Sequence, residues 1–260
     1  RGGLRSEISS QWIREAGKSV EMIPGGYKAL RHYLMQVLET HSQNRSFLLL
    51  AGRTGSGKTQ VLNKVTSPFL DLEKHANHKG SSFGGQGPQP AQITFENSIA
   101  VDLLKTRPDA LILVEDEAVM IGTAVVPKFL FERMKRSPLL VLERSMGERV
   151  QTIAEEYVFE KTNYFLGDFR KTETFMLEAL HRIQARLGGL NHTLIHTQIT
   201  NAFASVDVKR AETHFDWIES LLTHYYDPLY DRGLKKSAER IAFQGNEVEC
   251  LQYLKEKTKS

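Results

Sequence analysis

Apolar residues recur along this chain with two spacings, and the change from one to the other divides it. Four short, nearly continuous apolar runs, "SFLLLA" (46–51), "FLDL" (69–72), "LILVE" (111–115) and "LLVLE" (139–143), have the length and composition of buried strands. Between them, 92–105 and 127–136 space their apolar residues as helices do. Strands alternating with helices predict an α/β fold with a parallel sheet covered on both faces. Upstream, the pattern predicts a helix from Ile8 to Ala16 stopped by Gly17, a short strand "VEMI" (20–23), a break at Pro24, Gly25 and Gly26, and a helix from Tyr27 to His41. Polar "SQNR" then reads as a linker. From Glu148 onward the pattern is of amphipathic helices, "ETFMLEALHRIQARLGG" and "AETHFDWIESLLTHYYDPLY" among them, broken at Gly188, Gly189 and Pro228. The expected division is an N-terminal piece (1–41), an α/β domain (42–147) and a helical C-terminal region (148–260).

Composition narrows the classes without choosing among them. The chain has 260 residues, 40% of them hydrophobic and 25% charged, enough for a packed core and a second, smaller body. No apolar run reaches the roughly 18 residues of a membrane span, so a soluble protein without a membrane partner is expected. The opening "RGGLRSEISS" is no signal peptide and lacks an initiating Met, as a fragment or processed chain would. Cys250 is the only cysteine, so no internal disulfide can form and a cytoplasmic, reducing location fits. Its place near the end suggests a structural thiol rather than a nucleophile. The 34 basic and 31 acidic residues give a net charge of +3, compatible with a nucleic-acid partner but not diagnostic of one.

The most specific local signal follows the first strand. In "GRTGSGKT", Gly52, Gly57, Lys58 and Thr59 satisfy G-x-x-x-x-G-K-[ST] between a strand and a helix. Glycines let successive N–H groups turn toward an anion, which makes Gly52, Thr54, Gly55, Ser56, Gly57, Lys58 and Thr59 the expected phosphate cradle. Lys58 would reach the terminal phosphate and Thr59 would offer its hydroxyl to Mg²⁺. A second acidic element is expected at the end of a neighbouring strand. "LILVEDE" supplies Glu115, Asp116 and Glu117 there, and Glu115 and Asp116 are taken with Thr59 as the metal set and with Lys58 as the catalytic set. Asp71 and Glu73 form another acidic group. The polar, glycine-rich "DLEKHANHKGSSFGGQG" that follows, with His75, His78, Lys79 and Ser81, reads as a substrate loop rather than a zinc site.

Beyond the phosphate loop, "DLEKHANHKGSSFG", Gln92, Phe95, Glu96 and Asn97 as Q-x-x-F-E-N, "VEDEAVMIG", "VPKFLFERM" and "HYYDPLYDRGLKKSAERIAFQG" follow one another in order. In these pieces the chain resembles the tRNA 2-selenouridine synthase family, which joins a rhodanese domain to a P-loop domain. Lys79 departs from the arginine usual in that family and would hold phosphate without a bidentate fork. "RGGLRS" resembles the end of the rhodanese loop Cys-x-Arg-Gly-Gly-x-Arg-Ser, so Arg1 and Arg5 would be its remnants and the nucleophilic Cys would precede Arg1.

The resemblance implies a transferase that replaces the sulfur of 2-thiouridine at the tRNA wobble position by selenium. It does so through an S-geranyl intermediate made from geranyl diphosphate, with selenophosphate as the selenium donor and an enzyme supplying selenophosphate as a further partner. Selenation is expected to be impaired without the rhodanese thiol. Arg149, in "MGERV", matches a family arginine expected to touch the same anion. Two basic groups, Lys128, Arg133, Lys135 and Arg136 and then Arg232, Lys235, Lys236 and Arg240, are the expected tRNA contacts. Tyr225, Tyr226 and Tyr230 beside the second group read as packing rather than base-stacking residues. The readings that compete with this one are a P-loop small-molecule kinase and a noncatalytic nucleotide- or tRNA-binding module.

Overall fold

The structure is a computed structural model that describes residues 3–85 and 87–257. Helices α1 (Gly3–Glu15) and α2 (Gly26–Asn44) lead into β1 (Ser46–Gly52), α3 (Lys58–Leu62), β2 (Phe69–Leu70), α4 (Leu72–Ala76), α5 (Gln92–Lys105) and β3 (Leu111–Glu115). A small ribbon of β4 (Met120–Ile121) and β5 (Ala124–Val125), then α6 (Lys128–Met134) and β6 (Leu139–Leu142), complete the first part. The second part comprises α7 (Met146–Ile153), α8 (Glu160–Tyr164), α9 (Phe169–Leu187), α10 (Gly189–Ala204), α11 (Phe215–Leu221) and α12 (Asp227–Lys236). The chain then returns through β7 (Ile241–Gly245) and α13 (Glu247–Lys257).

Five strands form one parallel sheet in the order β2-β3-β1-β6-β7. The central strand β1 is buried from Phe47 to Gly52, which explains its unbroken apolar run. Phe47, Leu49 and Ala51 pack with Leu38 of α2, Phe95 and Ile99 of α5 and Leu130 of α6 on one face. Leu48 and Leu50 meet Val61 and Leu62 of α3 and Cys250 and Leu254 of α13 on the other. A separate core joins α7, α9, α10 and α11 through Val150, Met176, Leu180, Ile199, Trp217 and Leu221. The expected α/β class, with a parallel sheet and a helical part behind it, is therefore the observed one. Among the described residues, no helix is long and apolar enough to cross a membrane.

Several elements differ from their sequence expectation. "VEMI" is irregular chain without a ladder partner, and Gly25 and Gly26 that follow take left-handed φ of 80° and 61°. "SQNR" is no linker: Ser42 is wholly buried in the last turns of α2, and the guanidinium of Arg45 caps the carbonyls of Thr106 and Arg107. Of "FLDL" only Phe69 and Leu70 pair, because Asp71 turns the chain by accepting the amide of Lys74 at 2.8 Å and opens α4. The tail is not helical throughout; β7 adds in parallel to β6 as the fifth strand. Arg1 lies outside the described residues, while Gly3 to Ser6, including Arg5, form the first turn of α1. The family-like Q-x-x-F-E-N stretch is architectural: Gln92 bonds both the N–H and the C=O of Val125, and Glu96 and Asn97 hold Arg31.

Candidate functional site

The phosphate loop sits where β1 ends, at the carboxyl edge of the sheet. Two positions require glycine. Gly55 (φ 79°) and Gly57 (φ 81°) are left-handed, and an added Cβ would lie 2.8 Å from the carbonyl of Arg149 and 2.6 Å from the guanidinium of Arg144. The loop therefore folds back over α3, with Lys58 Nζ 3.4 Å from the carbonyl of Gly52 at its base.

Parallel pairing brings the acids to this loop. Leu50 is in register with Glu115, and the amide of Asp116 donates to the carbonyl of Leu50. Glu115 is fully buried and accepts the hydroxyl of Thr59 at 3.1 Å, while its second oxygen has no partner. Glu73, from α4, and Glu117 join it, each offering an oxygen within 4.8 Å of the others. Asp116 stays outside this group, as alternation along an extended chain dictates: Glu115 and Glu117 share a side that Asp116 does not. The set with ligand spacing is thus Glu73, Glu115 and Glu117 rather than Glu115 and Asp116.

Burial raises the proton affinity of these carboxylates. Burial, then the charges of Glu115 and Glu117, pushes Glu73 up to about 9. Burial pushes Glu115 up to about 7 against the pull of Lys58, and Glu117 moves the same way. Burial also raises Asp116, opposed by Arg240. For Lys58, burial would lower the pKa, but the surrounding carboxylates outweigh it and the ammonium is held above its usual value. An orphaned carboxylate oxygen, a hydroxyl and three hard oxygen donors fit a magnesium ion well. His75 and His78 are not in the group.

Around the loop and the acids lies a cavity of about 360 Å³ that Lys79, Gly80, Ser81, Glu156, Tyr157, Tyr226 and Tyr230 close from the opposite side. Lys79 bridges Glu156 (3.4 Å) and Glu160 (2.8 Å), and Ser81 bonds the hydroxyl of Tyr157 at 2.6 Å. Of the expected substrate loop, Glu73, Lys79 and Ser81 reach the cavity. Asp71 caps α4, His75 pairs with Asp102 at 3.0 Å, and His78 is half-buried with its Nδ1 unpartnered, its pKa lowered by burial. Tyr157 and Tyr226 sit in π-helical turns, Ala154–Phe159 and Leu222–Tyr226, inserted between α7 and α8 and between α11 and α12. Such turns shift a helix face by one residue, and no local sequence signal marks them. Tyr225 is core, as expected, whereas the hydroxyl of Tyr230 is buried without a partner and that of Tyr226 lies against Ser81.

Arg149 does not face the cavity as a free cation. It is 2% exposed, its Nη atoms grip Asp227 at 2.6 and 2.9 Å, and its Nε donates to the carbonyl of Thr54 at 2.9 Å. It fixes the loop from behind, and Arg53 makes a second, exposed link from the loop to Asp231 of α12. The two basic groups split likewise. Arg133 donates to the carbonyl of Arg45, and Arg240 binds the carbonyls of Met134 and Ser137, so both serve the fold. Lys128, Lys135, Arg136, Arg232, Lys235 and Lys236 are exposed.

A glycine loop and its lysine at the end of the central strand, with acids on the adjacent strand, define a P-loop α/β protein. Residues 45–260 match the family model described as the tRNA 2-selenouridine synthase AAA domain. Proteins named tRNA 2-selenouridine synthase are similar across nearly the whole chain. That of Marinobacter nauticus is 40% identical over 272 residues, covering 99% of this chain and 73% of the relative. That of Pseudomonas fluorescens is 42% identical over 270 residues, with 99% and 73% covered, and that of Shewanella denitrificans 40% over 266, with 98% and 72%. The chain belongs to the tRNA 2-selenouridine synthase family. No solved structure matches it.

Proposed function

We propose that this chain is a transferase acting on tRNA in the conversion of wobble 2-thiouridine to 2-selenouridine, and that its P-loop holds the diphosphate of geranyl diphosphate. The observation that carries the reading is the single cavity in which Lys58, the glycine loop and the Glu73–Glu115–Glu117 group meet. In the first step the sulfur of 2-thiouridine attacks C1 of the geranyl group, the C1–O bond breaks, and diphosphate leaves with the bonding electrons while the base loses its N3 proton. Lys58 and the loop amides stabilise the charge that grows on the leaving oxygens. Glu73, Glu115, Glu117 and Thr59 would hold Mg²⁺, whose contribution is to neutralise diphosphate charge.

Alkylated sulfur is then a leaving group. Selenium of selenophosphate bonds to C2 of the base, geranyl thiol departs, and water takes the phosphoryl group from selenium. The same cavity is the candidate holder of selenophosphate, supplied by a separate enzyme. The exposed Lys128, Lys135, Arg136, Arg232, Lys235 and Lys236 are the candidate contacts for the tRNA backbone, and binding through them should weaken as salt rises. The test is mass spectrometry of 2-thiouridine tRNA incubated with the protein, Mg²⁺ and geranyl diphosphate. The geranyl mass increment is expected with the native sequence and not with Lys58→Ala; unmodified tRNA with both, beside an active relative, refutes the reading.

A further inference from the structure

A second cavity, of about 180 Å³, opens beside the phosphate cavity and shares Lys79, Glu156 and Tyr157 with it. Its inner wall is the buried ring of Phe83, stacked on that of Tyr157 with centroids 6.0 Å apart and planes within 8°. Gly84 and Gly85 form another wall, and Tyr164, 53% exposed, stands at the outer end. Apart from the hydroxyl of Tyr164, the polar side-chain groups of this lining already have partners. The hydroxyl of Tyr157 is taken by Ser81, Glu156 and Glu160 by Lys79, and the ammonium of Lys161 by the carbonyl of Gly85. That ammonium lies over the rings of Phe175 (4.4 Å) and Tyr164 (5.2 Å), so Lys161 offers the cavity its methylenes.

A nucleobase would need free donors and acceptors to read its edge, and a hydrocarbon needs none. Resting on the diphosphate reading of the loop, we propose that this side cavity receives the hydrocarbon tail of the diphosphate ester, with Tyr164 closing its outer end and setting the chain length accepted. Lys79, which lines both cavities, then marks the crossing from head to tail.

The test is calorimetry of the whole chain in Mg²⁺ with inorganic pyrophosphate and with dimethylallyl, geranyl and farnesyl diphosphates. Affinity should rise at least about tenfold from pyrophosphate to the geranyl ester and gain nothing further at farnesyl, since each buried methylene adds a roughly constant increment until space runs out. Tyr164→Ala should move the optimum to the farnesyl ester and leave pyrophosphate affinity unchanged. If pyrophosphate binds and the tail adds nothing, or Tyr164→Ala leaves the length profile unaltered, the tail assignment is overturned and the loop reading stands. If free 2-thiouridine nucleoside abolishes the tail's gain without touching pyrophosphate binding, the cavity belongs to the base. Should no diphosphate bind at all, the loop reading falls and the tail assignment with it.

Discussion

Two arginine–aspartate pairs fasten α12 to the phosphate loop, one buried and bonded to both carboxylate oxygens and one exposed and bonded to a single oxygen, which makes Asp227→Ala a sharp test of how the loop is held. In the inner pair Arg149 is 2% exposed and Asp227 15%, with two guanidinium–carboxylate bonds of 2.6 and 2.9 Å. In the outer pair Arg53 and Asp231 are 46% and 43% exposed. Truncating Asp227 leaves a buried guanidinium with only the Thr54 carbonyl, a loss of about 3–5 kcal/mol. Asp231→Ala removes an exposed, screened pair and should lose about 0–1 kcal/mol. Against a total stability of about 5–15 kcal/mol, the first change approaches unfolding and the second is barely visible. Urea denaturation of both variants reads the difference as a shift in midpoint at constant slope. Because Arg149 also holds the carbonyl of Thr54, Asp227→Ala should weaken pyrophosphate binding although Asp227 touches no ligand. Losses for the two variants that agree within about 0.5 kcal/mol would refute the claim that burial of the inner pair sets the loop.

Three further outcomes are expected. Mg²⁺ should raise the melting temperature of the native protein, through preferential binding to the folded state, and Glu115→Gln should abolish most of that rise; an equal rise in the variant would place the ion elsewhere. His214 is fully buried, donates from Nε2 to the carbonyl of Val208 at 2.9 Å and accepts the indole N–H of Trp217 at Nδ1, so the fold holds it neutral. Burial lowers its pKa below the ordinary 6.5, and its contribution is therefore complete above that value and lost as pH falls beneath it. Stability of the native protein should drop more steeply than that of His214→Gln between about pH 6.5 and 5, followed by Trp217 fluorescence; parallel curves would exclude the buried imidazole as the cause. Cys250 is fully buried with its thiol pushed up to about 11 by burial, so it should resist iodoacetamide at neutral pH and react at the rate of unfolding. Rapid labelling of the folded protein would contradict this.

The parts legible in the sequence are those whose cause is local. The glycines at 52, 55 and 57 declare the loop because left-handed backbone and close approach exclude other residues, and β1, β3 and β6 declare themselves because strands buried on both faces carry few polar residues. What escaped depends on distant partners. β7 has five residues with only Gly245 fully buried, and it is a strand because the exposed edge of β6 supplies its hydrogen bonds. "VEMI" has comparable strand composition and no such edge. The sequence exposes Arg149 as a charge but not its partner, since Asp227 lies 78 positions away. Tyr157 and Tyr226 line the cavity from π turns, whose change of helix register no local sequence signal marks.

The electrostatics of the cavity explain why both parts of the chain must contribute to it. Its lining carries five carboxylates, Glu73, Glu115, Asp116, Glu117 and Glu156, against two ammonium groups, Lys58 and Lys79. A site with that excess repels a phosphate ester unless some of its acids are protonated or a cation is present, and Glu73, Glu115 and Glu117 are raised first by burial and then by the charges of neighbouring acids. A divalent ion on the Glu73–Glu115–Glu117 side would offset part of that excess and compete with protons for those acids. Glu156 and Glu160 of the helical part share the ammonium of Lys79, whereas Glu73, Glu115 and Glu117 at the sheet edge face Lys58 alone. On the proposed reading, affinity for an anion would be conditional on a cation at one end of the cavity, and selectivity for what the anion carries would fall to the apolar walls at the other.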